Sequence, residues 1–559
     1  MSTKDYLKSD HDPTDKGLWF LPLGGAGEIG MNLNLYCCDG NWIIVDLGVS
    51  FNDYRMPGVE IILPDPMFIE ERRDSLLGIV LTHAHEDHIG AVAYLWEKLR
   101  CPIYASPFTA CFLRHKLSDI GKIDEIKIIE VNVSGKLTVG PFDIEFINLT
   151  HSIPEPNGLG ISTSYGNILH TGDWKFDDNP LVGEVSDKKK LKGFGDKGVL
   201  ALVGDSTNAL TAGKSGSENE VRKTLLEIVN AAEGKVIVSC FASNLARIKS
   251  IIDAAHKNNR EVALVGRSLW RIVKVARETG YLDESINLYE AEELSCLTSK
   301  NLLYICTGSQ GEPRAALTRI AEGKHPDISL SEEDIVVFSS RIIPGNEKPI
   351  FALYNKLARL DVKIITSKTN MVHVSGHPAQ EELNEMYKLI KPEISIPVHG
   401  EQIHLKSHLK IAQNCKVPNC ILVENGMLTL LAPGVPGVKD QVFYGRMSWE
   451  GNRALPYQGT VLKERKKIHY NGAIFITIVI QKKPILLKDL KISVISLPLQ
   501  ADENEISNLE SNIFNHLLSC GKEFILDDKN IVYNIKRLIK KKFYEYKIRP
   551  LVKLHIFRD

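Results

Sequence analysis

The chain has 559 residues, with 68 Lys and Arg against 69 Asp and Glu, so its formal net charge is −1. Hydrophobic residues make up 43% and charged residues 25%, which excludes a mostly disordered, collagen-like or fibrous chain. The near-zero charge excludes a globally basic nucleic-acid coat, although a single cleft can still be basic. At about 150 residues per domain, this length predicts three to four domains.

The first 208 residues predict a β-rich domain whose polar residues gather where strands end. The apolar runs predicted to form strands are LWFLPLGG, NLNLYCC, NWIIVDLG, LLGIVL, DIEFINL, GNILH and VLALVG. The run AVAYLWEKL predicts a helix after the fourth of these strands.

From residue 209 to 372, predicted strands such as KVIVSCFAS alternate with predicted helices such as NLARIKSIIDAAHKN, which is typical of a parallel α/β unit. Polar strand ends return at 373–430, in HVSGH and ISIPVHGE. Residues 431–460, rich in Gly and Pro, predict a linker, and residues 461–559 a small α+β domain.

The cysteines and the apolar runs predict the compartment. Ten cysteines are spread from Cys37 to Cys520 without a C-x-x-C pair, which predicts neither a disulfide framework nor a zinc ribbon. Residues 1–16 lack the apolar core of a signal peptide. The longest apolar run, AIFITIVI, is too short to span a bilayer. We therefore expect a cytoplasmic protein with reduced thiols.

The strongest chemical signal is THAHEDH at 82–88, which follows a predicted strand. Four side chains that can bind a metal lie within six residues: His83, His85, Asp87 and His88. A loop at a strand end can direct them toward two different ions. Imidazole and carboxylate together suit zinc, manganese or iron. The alternative is a polar loop with satisfied histidines, which does not require four such residues so close together.

Two ions need more ligands than one loop offers. His151, Asp173 and His399 each follow or end an apolar run, and such strand ends can converge on one edge of a β-layered fold. An Asp between two cations can bind one with each oxygen. Taken singly, each of the three is more often structural, and their context beside the THAHEDH loop favours ligation.

The chain resembles a known family in several of its motifs. HAHEDH, His151 and the TGD at 171–173 are similar to the metallo-β-lactamase signature, and so is Asp46, whose equivalent orients ligands without binding the metal. Three further motifs resemble those of the β-CASP nucleases: GDSTN (204–208), HVSGH (373–377) and PVHGE (397–401). The match narrows to the ribonuclease J family through GGAGEIGMN (24–32), FASN (241–244) and TGSQGEP (307–313). It extends over about residues 17–450.

The resemblance implies an α/β fold, namely a metallo-β-lactamase αββα sandwich with an inserted β-CASP α/β domain and a small C-terminal α+β domain. The expected boundaries are 1–208 for the first part of the sandwich, 209–372 for the β-CASP domain, 373–430 for the second part of the sandwich, 431–460 for the linker and 461–559 for the C-terminal domain.

The resemblance also implies two divalent metal ions per subunit, with Zn²⁺ expected and Mn²⁺ as the alternative. The implied ligands are His83, His85 and His151 for one ion and Asp87, His88 and His399 for the other, with Asp173 bridging. Two such ions activate a water for in-line attack on a phosphate. His377 is the expected proton donor to the leaving oxygen, and Asp205 is expected to support it.

Two segments are implied to contact RNA phosphates. They comprise Ala242, Ser243, Asn244, His373, Val374, Ser375, Gly376 and His377. Their hydroxyl, amide and backbone N–H groups can donate to phosphate oxygens without carrying charge. The alternative for FASNLARI is a helix cap.

Residues 25–30, GAGEIG, match the formal pattern G-x-G-x-x-G. A dinucleotide fingerprint would open a helix, whereas the following NLNLYCCDGNWIIVD predicts a hairpin. We therefore expect a glycine-rich turn under the active-site edge and no NAD.

The segment 521–559 carries 11 Lys and Arg against 5 Asp and Glu, with bases and aromatics interleaved in KRLIKKKFYEYK. This pattern fits an RNA-facing patch. It fits slightly better the solvated face of a helix that packs through Ile, Leu and Phe.

The expected function is hydrolysis of single-stranded RNA with a 5′ monophosphate, by 5′-to-3′ exonuclease action with internal cleavage as well. The resemblance implies roles in RNA maturation and decay, including rRNA processing and mRNA decay, and a homodimer or homotetramer. Three alternatives stay open: a small-molecule hydrolase, which needs no β-CASP insertion; a β-CASP DNA-processing nuclease; and a non-catalytic RNA-binding subunit, which would be expected to have lost ligands.

Overall fold

The computed structural model describes residues 16–51, 56–482, 484–501, 503–544 and 546–559, so the polar start of the chain lies outside the described residues except for Lys16. The chain divides into two units. The first comprises the described residues up to Ser50 together with Ile62–Gly445, and the second comprises Phe51–Ile61 and Arg446–Asp559. None of the described helices is long and apolar enough to cross a bilayer.

The strands up to residue 205 are β1 (Leu18–Gly24), β2 (Leu33–Cys38), β3 (Asn41–Val45), β4 (Ser50–Phe51), β5 (Ile61–Pro64), β6 (Leu76–Val80), β7 (Ile103–Ala105), β8 (Ile128–Glu130), β9 (Lys136–Val139), β10 (Phe142–Asn148), β11 (Asn157–Thr163), β12 (Gly166–His170) and β13 (Ala201–Asp205). The helices of this part are α1 (Met67–Glu70), α2 (Glu86–Ile89), α3 (Val92–Leu99), α4 (Pro107–Asp119) and α5 (Lys188–Gly195).

The middle of the chain contains α6 (Glu218–Asn230), β14 (Val236–Ser239), α7 (Leu245–His256), β15 (Glu261–Val265), α8 (Arg267–Glu278), β16 (Leu302–Cys306), α9 (Ala316–Ala321), β17 (Ile335–Phe338), α10 (Glu347–Ala358) and β18 (Lys363–Thr366). It is followed by α11 (Gln380–Ile390), β19 (Ile394–Val398), α12 (Gln402–Asn414), β20 (Asn419–Cys420), β21 (Met427–Ala432) and β22 (Gly437–Gln441).

The rest of the chain contains β23 (Arg446–Glu450), β24 (Arg453–Pro456), α13 (Thr460–Asn471), β25 (Ala473–Lys482), β26 (Ile485–Ile495), α14 (Glu503–Ser519), α15 (Lys522–Leu526), α16 (Asp528–Tyr544) and β27 (Leu551–Arg558). Short 3₁₀ helices lie at Arg73–Ser75, Glu292–Leu294, Ser299–Asn301 and Pro498–Ala501.

Two mixed sheets form the sandwich of the first unit. Among the described residues, their strand orders are β22-β21-β1-β2-β3-β6-β7-β8 and β20-β19-β13-β12-β11-β10-β9. One apolar cluster joins them, with Phe20 and Val80 from the first sheet and Phe146, Val203 and Ile396 from the second, all fully buried. Strands rich in β-branched and aromatic residues fill such a core well because their side chains stand perpendicular to the sheet.

Helices cover the outer face of the second sheet. Phe194 of α5, Met386 and Ile390 of α11 and Ile411 of α12 belong to one apolar cluster that also contains Leu202 of β13. With helices packed on the sheets, the αββα fold class predicted from the motifs is confirmed.

The inserted domain contains an all-parallel sheet with strand order β15-β16-β14-β17-β18. Its strands are continuous hydrophobic runs, such as Val236–Ser239, because helices cover a parallel sheet on both faces. The predicted alternation of strands and helices is therefore confirmed.

Two predictions about local structure are wrong. Residues 431–460, predicted to be a linker, contain β22, β23, β24 and the end of β21, because their Gly and Pro residues form the turns between short strands. The strand end predicted at HVSGH is the second: no strand forms at 371–377 among the described residues, where Val372 O accepts from Arg247 and Gly376 O accepts from His151. The other domain boundaries stay predictions.

The second unit has its own core, formed by the sheet β26-β25-β27 and helices including α14 and α16. Ile531, Ile535, Ile539 and Phe543 recur every four residues of α16 and are buried. The Lys and Arg residues of α16 are exposed, so the prediction of a packed helix with a solvated basic face is confirmed.

Candidate metal centre

The ends of four strands position the centre. β6 leads into the loop of His83 and His85, whose chain enters the short helix α2 with Asp87 and His88. His151 follows β10, Asp173 follows β12, and His399 follows β19. His399 has φ = 52°, a left-handed conformation in which few residues other than Gly occur.

The first group of donor atoms is formed by three histidines and Asp173. The Nδ1 atom of His85 lies 3.1 Å from Nε2 of His83 and 3.1 Å from Nε2 of His151. Nε2 of both His83 and His151 lies 3.8 Å from Asp173 Oδ2. His85 thus faces the cluster with Nδ1, whereas His83 and His151 face it with Nε2. The spacing of the residues in the sequence does not reveal this difference.

The second group shares Asp173 with the first. His88 Nε2 lies 3.2 Å from Asp173 Oδ2, and His399 Nε2 lies 3.5 Å from Asp173 Oδ1. Both imidazole nitrogens lie 3.6 Å from Asp87 Oδ2. The structure therefore brings together all seven predicted ligands, in two groups that have one carboxylate in common.

Asp46 and Thr82 fix the histidines of the THAHEDH loop from behind. Asp46 Oδ2 accepts from His88 Nδ1 at 2.7 Å, and the same carboxylate accepts from the Thr82 backbone and hydroxyl, each at 2.8 Å. The Thr82 hydroxyl oxygen in turn lies 3.0 Å from His83 Nδ1. Because Nδ1 is used in this way, Nε2 of both histidines faces the cluster, where Asn32 Nδ2 also lies 3.2 Å from His88 Nε2.

His151 and His399 are oriented by groups far away in the sequence. His151 Nδ1 donates to Gly376 O at 2.6 Å, and His399 Nδ1 lies 3.1 Å from Asn32 Oδ1. A Cβ at residue 376 would lie 2.5 Å from the His151 ring, so glycine is required there. Asn32 is a site residue that the sequence did not predict, although it is the last residue of the motif GGAGEIGMN.

The donor set fits a divalent metal. Asp173 Oδ1 and His399 Nε2 are buried, and neither has a hydrogen-bond partner among the described residues. Unpaired buried polar atoms are costly, and a cation between two acceptors removes that cost. Since imidazole and carboxylate are the natural ligands of first-row divalent ions, the metallo-β-lactamase fold here carries a divalent-metal site.

Burial lowers the pKa values of three histidines in the cluster, whereas neighbouring histidines lower the pKa of Asp173 against the effect of burial. Burial lowers the pKa of His85 to about 4 and lowers the pKa values of His83 and His151 well below the usual range. The neutral imidazole is the form that binds a metal. Burial opposes charge on Asp173 as well, but nearby histidines, His399 foremost, lower the pKa of Asp173 well below its usual value.

The predicted catalytic pair lies next to the cluster. His377 Nδ1 lies 2.8 Å from Asp205 Oδ2 and 3.8 Å from Asp173 Oδ2, and the His377 ring stacks 5.7 Å from that of His399. Burial by itself lowers the pKa of His377, but the carboxylates of Asp205 and Asp173 raise it to about 9. Asp205 contacts the His377 ring through Nδ1, and a carboxylate oxygen of Asp205 also lies within 4.8 Å of ligand atoms of Asp173 and His399.

The predicted phosphate-contact segment 242–244 lies at the start of α7. Asn244 is the N-cap of this helix, and its Oδ1 accepts from Arg247 N at 2.9 Å. Ala246 N donates to Ser152 O at 3.4 Å, next to His151 in sequence. Within the described ranges, the Ser243 hydroxyl has no hydrogen-bond partner. The helix cap is therefore present, and a donor remains available beside the centre.

The second predicted segment, 373–377, serves mainly to support other groups. Val374 is buried, and Ser375 Oγ accepts from His377 N at 3.2 Å. Nδ1 of His373 is buried without a hydrogen-bond partner in the part of the chain that the structure describes. Burial, with smaller contributions from Arg247 and Arg341, lowers the pKa of His373 to about 3, so this side chain is neutral.

The glycine-rich turn packs against the centre. Gly25 O accepts from His399 N at 2.6 Å, and a Cβ at Gly30 would lie 3.3 Å from Asp87 Cβ. No helix begins within residues 25–32, all of which are described, so the segment forms a turn and lacks the helix of a dinucleotide fingerprint.

Arg247 is a second residue that sequence reasoning missed. It is fully buried and donates to Glu218 at 2.9 and 3.1 Å, to Ser339 and to Val372 O. These bonds tie α7 to the first residue of α6, to the residue that follows β17 and to the residue that precedes the 373–377 segment. A lone Arg within a predicted helix gave no signal of this role.

Family models match most of the chain. Residues 33–239 match the metallo-beta-lactamase superfamily and residues 233–357 the ribonuclease J beta-CASP domain. Residues 361–418 match the Zn-dependent metallo-hydrolase RNA specificity domain, and residues 460–558 match the ribonuclease J C-terminal domain.

Several curated relatives are similar over nearly the whole chain. Ribonuclease J of Sinorhizobium meliloti is 42% identical over 92% of this chain and 92% of the relative. Ribonuclease J of Mycolicibacterium smegmatis is 36% identical over 96% of both chains, and that of Helicobacter pylori is 34% identical over 96% of this chain and 78% of the relative. A solved Enterococcus faecalis protein of unknown function shares the fold, with a TM-score of 0.52 at 16% identity over 74% of this chain and all of its own.

Proposed function

The chain belongs to the ribonuclease J family and is a metal-dependent ribonuclease, and from this we propose that it degrades single-stranded RNA from the 5′ end and also cleaves it internally. One observation carries the proposal: the His377–Asp205 pair lies 3.8 Å from the carboxylate that the two donor groups share. A proton donor beside the donor groups supports phosphodiester hydrolysis, because the leaving oxygen has to be protonated.

We infer two divalent cations per subunit, with Zn²⁺ favoured by the imidazole-rich set and Mn²⁺ as the alternative. The proposed ligands are His83, His85 and His151 for one ion and Asp87, His88 and His399 for the other, with Asp173 shared. Divalent cations held there would supply Lewis-acid stabilisation of the charge on the scissile phosphate and a nucleophilic hydroxide at neutral pH.

In this proposal His377 is the general acid. Asp205 holds the ring through Nδ1, and its carboxylate raises the pKa of the imidazole. Nε2 is then the atom that can transfer a proton to the departing oxygen.

We propose that the start of α7 contacts RNA phosphates. The first amides of the helix are already used, by the Asn244 side chain and by Ser152 O, so the Ser243 hydroxyl and Asn244 Nδ2 are the donors that remain. We propose that the 373–377 segment, in which His373 is neutral, lies beside these donors along the RNA. These are small neutral donors, which suit a terminal monophosphate and would crowd a triphosphate.

We also propose that the protein forms a homodimer or homotetramer through its second unit. Several large apolar side chains of that unit are exposed, namely Leu486, Ile495, Leu518, Leu526 and Phe557. Exposed apolar side chains form an assembly surface where they are contiguous. RNA substrates and ten cysteines without a disulfide among the described residues favour the cytoplasm as the compartment.

The test uses one enzyme preparation and three 5′-labelled single strands: RNA with a 5′ monophosphate, the same RNA with a 5′ triphosphate, and DNA of the same sequence. We expect labelled mononucleotide to be released first from the monophosphorylated RNA, with slower release from the other two. Equal cleavage of DNA and RNA would instead indicate a DNA-processing nuclease.

A further inference from the structure

A cluster of three metal-binding side chains lies outside the centre described above. Cys111 and His115 are four residues apart on α4, so they occupy one face of that helix. Glu278 is the last residue of α8 in the inserted domain. Its Oε2 lies 3.2 Å from Cys111 Sγ and 2.7 Å from His115 Nε2.

The donor atoms suit zinc. Thiolate, imidazole and carboxylate bind zinc at about 2.0–2.3 Å, which requires donor atoms separated by roughly 3.3–3.6 Å in a tetrahedral site. The three atoms of Cys111, His115 and Glu278 all lie within 4.8 Å of one another. The imidazole and the carboxylate need to separate by about half an ångström, which side-chain rotation at a partly exposed site permits.

The surroundings leave one coordination position open. The side chain of His115 is 23% exposed and that of Glu278 43%, so water can complete a tetrahedral site from the open side. Arg114, a neighbouring cation on α4, is paired with Glu130 and is thereby partly compensated. Without a cation, one carboxylate oxygen has to accept from both the thiol and the imidazole.

The cluster differs chemically from the catalytic centre. The three other candidate groups of ligands among the described residues all contain Asp173 and consist of His and Asp alone. This fourth group contains a thiol and shares no residue with them.

We propose that Cys111, His115 and Glu278 form a further divalent-metal site, of the zinc class, that cross-links α4 of the sandwich to α8 of the inserted domain. This site does not depend on the proposed RNA chemistry.

The position of the site gives it a structural role. Arg271 near the start of α8 pairs with Asp119 at the end of α4, whereas Glu278 contacts Cys111 and His115, so the two helices are antiparallel. A metal at the Glu278 end would oppose sliding of one helix along the other. It would thereby hold the inserted domain against the sandwich, and metal binding to the folded state raises its stability.

The test relies on the thiol. Metal-free full-length protein is titrated with Co²⁺ and followed by absorption, because a thiolate ligand gives an intense ligand-to-cobalt charge-transfer band in the near ultraviolet. Imidazole and carboxylate ligands do not give this band. We expect the band to grow with one equivalent of Co²⁺, and elemental analysis to find one metal ion fewer in Cys111→Ser than in the wild type.

The matched control is Cys296→Ser, which removes an exposed cysteine outside the cluster and should keep both the band and the metal content. His115→Ala provides a second disruption of the site in which the thiol is retained. The Co²⁺ affinity obtained from the growth of the band should fall at least tenfold in this variant. The proposal is overturned if no thiolate band develops even after enough Co²⁺ has been added to fill the catalytic centre. It is also overturned if Cys111→Ser keeps the band and the metal content of the wild type.

Discussion

His399 Nε2 lies 3.5 Å from Asp173 Oδ1, and neither buried atom has a hydrogen-bond partner among the described residues. His399 Nδ1 is already turned toward Asn32 Oδ1, so Nε2 is the nitrogen with a lone pair. A cation between two acceptors that face each other in a buried site satisfies both of them.

Asp173 should therefore be the residue on which metal binding depends most. We expect Asp173→Ala to lose bound metal and to reduce RNA cleavage by about a thousandfold or more, because the Lewis-acid contribution amounts to several kcal/mol. Chelation of the wild type should abolish cleavage, and divalent metal should restore it. The control is Asp178→Asn, a change at an exposed carboxylate. An active preparation without metal by elemental analysis would contradict this prediction.

Asp46→Asn should weaken metal binding without removing a ligand. Asp46 holds His88 through a 2.7 Å bond, and residues that orient ligands in this way typically contribute 10- to 100-fold to metal affinity. Asp46 has φ = 64°, a conformation that Asn tolerates, so the backbone should be retained. Competition with a chromophoric chelator measures the affinity. An unchanged affinity would show that Thr82 is sufficient to orient the loop.

Ser243→Ala should lower the ratio of exonuclease to endonuclease activity. A hydrogen bond to a charged phosphate contributes roughly 1.5–3 kcal/mol, so decay of monophosphorylated RNA should slow by about ten- to a hundredfold. Internal cleavage needs no terminal phosphate in the same place and should change less. Ser285→Ala, at an exposed serine, is the control. Equal losses of both activities would assign Ser243 to general strand binding.

Deletion of residues 461–559 should change the oligomeric mass measured by light scattering. The deleted part contains the sheet β26-β25-β27 with its own core and most of the exposed apolar side chains of the second unit. Activity should fall indirectly, since all seven proposed ligands are retained. A truncated protein with the oligomeric mass of the full chain would place the assembly surface in the first unit.

The free energy of unfolding should fall at acidic pH because buried His408 is neutral in the folded protein. Burial lowers the pKa of His408 to about 4, whereas in the unfolded chain it is about 6.5. The stability contributed by neutral His408 is therefore complete above about pH 6.5 and is lost as the pH falls toward 4. At pH 5 the loss is about 2 kcal/mol.

The variant His408→Gln tests this sign. Gln can still bond to the Ser206 hydroxyl and the Tyr387 hydroxyl, which lie 2.9 and 2.8 Å from the His408 ring. Between pH 7 and pH 5, with chelator present, wild type should lose about 2 kcal/mol more unfolding free energy than the variant in urea titrations. Equal losses would show that His408 does not control this pH range.

The sequence determined the strands, the chemistry and the ligand types. Apolar runs of β-branched residues fix where strands form, since each run is long enough to specify its own local conformation. The residues that follow them, such as Asp173 and His399, are polar groups that a sheet edge can gather. The same local logic identified α16 as a helix with one buried face.

Only the tertiary structure decided which atoms meet. His85 presents Nδ1, His151 is oriented by Gly376 O, and His399 by Asn32, contacts that span up to 367 positions. Helical periodicity puts Cys111 and His115 on one face of α4, but only the packing of α8 brings Glu278 to them. Local periodicity specifies the direction of a side chain within its own element, whereas distances between elements depend on how two sheets and an inserted domain pack together.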